Sequence, residues 1–221
     1  MTKPVKIDFV SDVVCPWCAV GLSALEQAIA RIGDELQVEL HFQPFELNPE
    51  MAAEGEDVAE HLTRKYGISE AQVAQNGEAI RARGEALGFT FDMARRRRIH
   101  NTFDAHRLLH WAGEQDVLQQ RALKHALLRA YFTEGEDVSS SEVLARVAEE
   151  VGLDGARARA ILASDEYAGA VREVETFYRQ QGIQAVPSVI FNDRHLVQGG
   201  QPVETFEQAL RQLSGISAPM A

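Results

Sequence analysis

The chain's two cysteines stand three positions apart in SDVVCPWC, residues 11–18. Two thiols at that spacing can hold part of a metal site, staple a turn, or exchange electrons with other thiols. A helix that begins at Pro16, where the missing proline N–H is not needed, places Cys15 at the N-cap with unpaired backbone N–H groups pointing at its sulfur. The positive end of the helix then stabilises the thiolate, which is the form that attacks disulfides. Cys18 falls one turn on, on the same side and within disulfide reach, beneath Cys15 in the place of a resolving thiol. Zinc takes four ligands, so a metal site would have to recruit a pair such as His106 and His110, whose i, i+4 spacing is common on helices. A three-residue staple constrains the unfolded chain little and does not persist in a reducing compartment. Two inert core cysteines would leave Pro16 unexplained. Redox exchange without metal is the expectation.

The elements that must position these thiols are legible on both sides. VKIDFV, residues 5–10, is short and rich in β-branched and aromatic residues, as a buried strand is. Leu22, Leu25, Ala28, Ile29 and Ile32 share one face of the helix that follows, and Gly33 stands where a helix ends. QVELHF, residues 37–42, alternates Val38, Leu40 and Phe42 with polar residues, as a half-buried strand does. The first 45 residues thus read β-α-β. From about Glu50 to Tyr167 helical periodicity dominates and no convincing strand is expected. Ser69 with Gln72, and Ser139 with Glu142, have capping-box spacing, and five or six helices fit this segment. The end of the chain resumes strand character: a helix through Val171, Val174 and Tyr178 stops at Gly182. VPSVIFNDRHLVQGG reads as two strands around an Asn192–Asp193 turn, and Pro202–Leu213 reads as a closing helix. Neither end makes a satisfactory sheet alone. The expected organisation is therefore one α/β domain from residues 1–48 and 168–221, with a helical domain, 49–167, inserted between its halves.

Bulk properties set boundaries on function. The 221 residues carry a formal charge of −11, which argues against nucleic acid as a partner because phosphate neutralisation needs a basic face. No apolar run approaches the length of a membrane span, and the N-terminal MTKPVKIDFV lacks the apolar core of a signal peptide. A cytoplasmic protein without membrane partners is expected. Arg95–Arg98 form a basic run read as a solvated face or a rim over the site. Phe89 and Phe91 read as core or as an apolar docking patch. Asp8 and Asp12 are the carboxylates near enough in sequence to serve Cys18 as a buried proton acceptor. Pro187 opens a strand, where proline is tolerated at a first or edge position; a cis bond there would bring the Val186 backbone beside another loop.

A strand leading into C-P-W-C at a helix start, a large helical insertion and a late V-P before a hairpin and final helix resemble the thioredoxin-fold proteins of the DsbA type. SDVVCPWC, FELNP, NTFDAHRLLHWA and VPSVIF look most like the FrnE branch, a neighbour of the 2-hydroxychromene-2-carboxylate isomerases and kappa-class glutathione transferases. The resemblance runs from Lys6 to about Leu213. It implies a thioredoxin fold in which Cys15 is the exposed attacking thiol, Cys18 resolves, and Pro187 is a cis-proline facing them. It also implies that the Val186 backbone binds a peptide or glutathione strand and that Pro16 and Trp17 tune the reduction potential. Asn101, Asp104 and Arg107 would line the cleft and contact glutathione or substrate. On residue types alone, Asn101 is a helix cap and Asp104 a first-turn acid.

The function expected is thiol-disulfide exchange with protein or small-molecule disulfides, with glutathione as a candidate co-substrate and no other cofactor. Where the isomerase and transferase relatives carry a serine, this chain carries Cys15 and a complete dithiol, which sets glutathione-dependent isomerisation or transfer second. A redox-sensing or metal-binding adaptor is the non-enzymatic alternative. Direction of electron flow, client, recycling partner and the choice between monomer and homodimer stay open.

Overall fold

The computed structural model describes residues 4–215. Met1–Lys3 of the N-terminal stretch and residues 216–221 of the expected terminal unit lie outside them.

A strand that is apolar on both faces belongs in the middle of a covered sheet, and β1 (Val5–Ser11) is buried at six of its seven positions. It pairs in parallel with β2 (Val38–Pro44), from Val5 opposite Val38 to Ser11 opposite Pro44. The helix that makes this crossover is α1 (Pro16–Ile32), whose buried face includes Leu22, Leu25, Ala28 and Ile32. Gly33 closes it at φ 66°, a left-handed value that costs glycine little. The alternation expected for the second strand is present, with Leu40, Phe42 and Pro44 turned inward.

Six helices follow among the described residues: α2 (Val58–Tyr66), α3 (Glu70–Ala86), α4 (Phe103–Gln115), α5 (Val117–Arg129), α6 (Ser141–Glu150) and α7 (Gly155–Leu162). Two expectations for this segment are corrected. It contains a two-stranded ribbon, β3 (Glu56–Asp57) against β4 (Arg98–Ile99), which is too short for side-chain alternation to reveal. The Ser139–Glu142 capping box does not form: Asp137 Oδ1 accepts the Ser139 N–H at 2.8 Å and its hydroxyl, so α6 starts later, with Ser140 as its cap residue. The box at Ser69–Gln72 is complete in both directions.

The chain returns through α8 (Ala168–Gln180) to β5 (Ser188–Phe191) and β6 (His195–Gln198), and ends in α9 (Val203–Ser214). The sheet order is β2-β1-β5-β6, with β5 antiparallel to β1 and β6 antiparallel to β5. Asn192 and Asp193 in the connecting turn both have positive φ, which their short polar side chains tolerate. This is a mixed α/β protein with a thioredoxin-type sheet built from both ends of the chain.

Helices α1 and α9 cover one face of that sheet. On the other face Val10 packs with Tyr178 of α8 and Ile183. The inserted helices close the β2 edge. Gln120 of α5 accepts the Phe42 N–H and donates to the Phe42 carbonyl, both at 3.0 Å, pairing with the strand as another strand would. One apolar core therefore runs from Phe9 and Phe42 to Leu108, Leu123 and Leu127.

Candidate functional site

Helix α1 begins where the proline requires, with Cys15 as its N-cap residue at φ −88°, ψ 112° and Pro16 first in the helix. The Cys15 carbonyl takes the first helical hydrogen bonds, from Cys18 N at 3.0 Å and Ala19 N at 3.4 Å. Both thiols are reduced. The Cys15 sulfhydryl donates to the Val186 carbonyl at 3.7 Å, and the Val186–Pro187 peptide bond is cis. Two chain segments 171 positions apart thus meet at one sulfur.

Cys15 is only 4% exposed and Cys18 is fully buried. The exposure that the resemblance implies for Cys15 is replaced by access through a cleft of about 890 Å³ whose wall includes it. Trp17, 41% exposed, stands at the same wall. Burial pushes the Cys18 thiol well up, and the neighbouring Cys15 sulfur adds to the effect, so Cys18 holds its proton in the resting dithiol.

Around the sulfur, the wall is built from Phe45–Pro49 after β2, from Lys65 and Tyr66 of α2, and from Arg96, Arg179 and the 184–186 segment. Lys65 donates to the Leu47 carbonyl at 3.0 Å and to Asn48 Oδ1 at 2.6 Å. Arg96 lies over the Tyr131 and Phe132 rings, and Arg179 over Phe45 at 4.5 Å. The basic run is thereby divided: Arg96 faces the cleft, Arg95 pairs with Asp92 at 3.3 Å, and Arg98 donates to the Glu54 and Gly55 carbonyls. Phe91 is buried in the core and Phe89, half-buried, packs against it, their rings 5.0 Å and 6.4 Å from Phe132, and neither lines the cleft, so the docking-patch alternative is corrected.

Asn101, Asp104 and Arg107 are absent from the cleft wall, contrary to expectation. Asn101 Oδ1 accepts the Phe103 N–H at 2.9 Å beside Thr102, the cap residue of α4, and its amide donates to the Met51 carbonyl at 3.1 Å. Asp104 receives Arg107 at 2.7 Å. Arg107 is 4% exposed and donates to the carbonyls of Ile161, Ser164 and Glu166, tying down the end of α7. The cap and first-turn reading fits Asp104 and misplaces Asn101 by one residue, and tertiary packing turned the Arg107 guanidinium inward.

The two candidate carboxylates separate cleanly. Asp8 is occupied by Gln43 at 2.7 Å and Lys6 at 2.9 Å. Asp12 is fully buried under the dithiol: Oδ2 accepts the Leu47 N–H at 2.8 Å, and Oδ1 faces His106 Nε2 at 3.5 Å. That second distance is ion-pair range without hydrogen-bond geometry. Burial pushes the Asp12 carboxyl up, but His106 and the Leu47 N–H more than offset it and hold it below its ordinary value. His106 and His110 do not converge on a ligand set; among the described residues no three His, Cys, Asp or Glu side chains are grouped to hold a metal.

Residues 6–211 match the model of the DSBA-like thioredoxin domain. The chain belongs to that family. A protein of Bacillus subtilis (strain 168), YwbO, is 30% identical over 211 residues, covering 95% of this chain and 96% of its own length. The crystal structure of a probable DsbA oxidoreductase from Streptomyces coelicolor superposes with TM-score 0.87 at 36% identity, over 98% of this chain and 93% of that one. Family membership makes a thiol-disulfide oxidoreductase site the frame for the dithiol. The fold is shared more distantly with a 2-hydroxychromene-2-carboxylate isomerase (TM-score 0.69, 14% identity, 96% of this chain and 100% of that one). It is also shared with the cytosolic disulfide reductase DsbM of Pseudomonas aeruginosa, solved with GSH (TM-score 0.64, 18% identity, 94% of this chain and 98% of that one).

Four further residues, Gly21, Gly200, Lys65 and Arg179, escaped sequence reasoning. A Cβ on Gly21 of α1 would lie 3.0 Å from Pro187 Cγ, and one on Gly200 would lie 3.1 Å from Trp17 Cε3. These glycines let the 186–187 and 199–200 loops approach the start of α1, and a glycine inside an otherwise apolar helix face was the signal available. Lys65 and Arg179 had no such signal, because a cation on an amphipathic helix reads as solvated surface.

Proposed function

We propose that the protein catalyses thiol-disulfide exchange through Cys15 and Cys18. The Cys15 thiolate attacks a disulfide R–S–S–R′, forming Cys15–S–S–R and releasing R′–S⁻. Cys18, deprotonated, then attacks Cys15 Sγ, forming the Cys15–Cys18 disulfide and releasing R–S⁻; run in reverse, the same steps oxidise a dithiol client. The carrying observation is Cys15 at the α1 N-cap, in the cleft wall, with Cys18 buried beneath it. Val186, at the same sulfur, supports a role for its backbone in holding an extended peptide or glutathione beside Cys15, with Pro187 shaping that wall and Pro16 and Trp17 tuning the dithiol. The substrates are disulfide-bearing proteins or glutathione, the reaction needs no metal or organic cofactor, and the working compartment is the cytoplasm. No helix among the described residues is long and apolar enough to cross a membrane.

Cys18→Ser tests this reading. It is expected to accumulate covalent mixed disulfides through Cys15, visible by mass spectrometry, and to lose turnover in insulin reduction. Wild-type turnover in that variant would overturn the dithiol mechanism.

A further inference from the structure

Just after β2 the cleft wall runs through residues 45–49, which belong to no helix or strand. Main chain of that kind ordinarily turns its polar groups to water. Here the N–H and C=O of two consecutive residues are all taken by charged side chains from elsewhere in the fold. Glu175 Oε1 accepts the Glu46 N–H at 2.9 Å, and Arg179 donates to the Glu46 carbonyl at 3.0 Å. Asp12 Oδ2 accepts the Leu47 N–H at 2.8 Å, and Lys65 donates to the Leu47 carbonyl at 3.0 Å and onward to Asn48 Oδ1 at 2.6 Å. These partners come from three places: Glu175 and Arg179 lie one turn apart on α8, Asp12 precedes Cys15 in the loop after β1, and Lys65 is on α2 of the helical segment.

Hydrogen bonds with one ionised partner are roughly twice as strong as neutral ones, so this short segment is held far more firmly than a connection needs. The arrangement also has a cost. Glu175 and Glu46 are both buried, and their carboxylates repel unless a cation joins them. Arg172 does so, donating to Glu175 Oε2 at 2.8 Å and to Glu46 Oε2. What the clamp holds is part of the site: Phe45 and Leu47 line the cleft together with Cys15, and Phe45 packs with Val10, Tyr178 and Ile183. At its Asp12 end the clamp is one hydrogen bond from the nucleophile, since the Cys15 N–H donates to the Asp12 carbonyl at 3.3 Å.

We propose that Glu175 and Lys65 are positioning residues for the exchange reaction. Acting from α8 and α2 through the main chain of Glu46 and Leu47, they hold the wall at the spacing from Cys15 at which a bound disulfide lies in line for attack. This rests on the dithiol reading above. Neither side chain touches the reacting atoms; each acts on substrate through the wall it fixes. Attack on a disulfide runs along the S–S axis, so a wall displaced by about 1 Å lowers the rate by up to about a hundredfold and leaves the thiol itself unaltered.

The test uses the full chain in its reduced form with two probes: one equivalent of an uncharged pyridyl disulfide, whose thione product absorbs light, and iodoacetamide, which reports the Cys15 thiolate across pH without needing the wall. Glu175→Leu keeps the bulk and removes the acceptor. It is expected to slow the first thione release by at least about tenfold while alkylation of Cys15, followed by mass spectrometry, keeps its rate within twofold and its pH profile. Glu175→Gln, which can still accept the Glu46 N–H, is expected to recover most of the loss. An unchanged disulfide rate, alkylation slowed to the same degree, or a glutamine variant as slow as the leucine one overturns the proposal. Should Glu175→Leu fail to fold, Lys65→Met, at an exposed position, decides. It is expected to slow the pyridyl disulfide and a doubly carboxylated aryl disulfide alike, by about fivefold. No slowing, or a loss confined to the carboxylated probe, which would make Lys65 a direct substrate contact, overturns its role. A wild-type chain that releases one thione from the single equivalent, and not two, overturns the dithiol reading and leaves the comparison of first-release rates standing.

Discussion

The ends of the chain and the helical segment between them contribute different things to one site. The terminal elements bring the sulfur, the Val186 carbonyl and an apolar wall of Val14, Pro16 and Phe45, with Arg179 their one cation there among the described residues. The helical segment brings Lys65 and Arg96 to the wall, and His106 and Lys124 to a small closed pocket beside Phe42–Pro44. A nucleophile can be built locally, because a helix terminus polarises whatever sits on it. The charges that govern a buried proton cannot, since they must approach from elsewhere in the fold.

Perturbations that separate these contributions range from large to small. Cys15→Ser removes the local component and is expected to lower the rate of insulin reduction by about three orders of magnitude, with unfolding in urea little changed. A comparable rate in that variant would place the reacting group outside the terminal unit. Arg107→Met does the converse. It leaves the Ile161, Ser164 and Glu166 carbonyls without their buried donor, at a cost of about 3 kcal/mol in urea denaturation, while the reaction of Cys15 with an aryl disulfide at low temperature stays within twofold. A specific loss of reactivity with unchanged stability would restore Arg107 to the site.

Glycine substitutions sharpen the contrast further. Gly21→Ala drives a methyl to 3.0 Å from the Pro187 ring; overpacking of about 1–3 kcal/mol, less about 1 kcal/mol of helix propensity, leaves a net loss near 1 kcal/mol and slower exchange. Gly77→Ala on α3, whose nearest neighbour would be Met93 Cγ at 4.0 Å, is expected to gain about 0.5–1 kcal/mol instead. Equal effects in the two variants would mean that α1 and the 186–187 loop are not closely fitted.

The smallest effect is in pH. Folded Cys18 keeps its proton when the unfolded thiol, ordinarily near about 8.5, has lost it. The folded state then binds more protons, and the stability of the reduced protein falls as pH rises through that range. Urea titrations at neutral and mildly alkaline pH are expected to show that slope reduced in Cys18→Ala; an unchanged slope would assign it to other groups.

The dithiol, the α1 cap, the β-α-β start and the late hairpin were legible because each rests on local rules: Pro16 starts a helix, Gly33 ends one, and Asn192–Asp193 turns a hairpin. The FELNP stretch, residues 45–49, carries part of the family likeness, and the structure lays it along the cleft wall. What stayed hidden followed from packing across long separations. Nothing in RALKHALL distinguishes Lys124 from a solvated lysine, and nothing in NTFDAHRLL shows that Arg107 turns inward to carbonyls more than fifty residues later. The ribbon at Glu56–Asp57 and Arg98–Ile99 was invisible because two residues give no alternation to read.

The sequence by itself therefore determined the spacing of the two thiols and the helix end on which Cys15 sits, since backbone geometry at a cap depends on the nearest few residues. The tertiary structure alone decided that Asp12 rather than Asp8 is buried with His106, that Lys124 is carried inside, and that the Val186 carbonyl reaches the Cys15 sulfur. Burial and electrostatic approach are properties of a packed whole, and no local pattern encodes which side chain is carried into the interior.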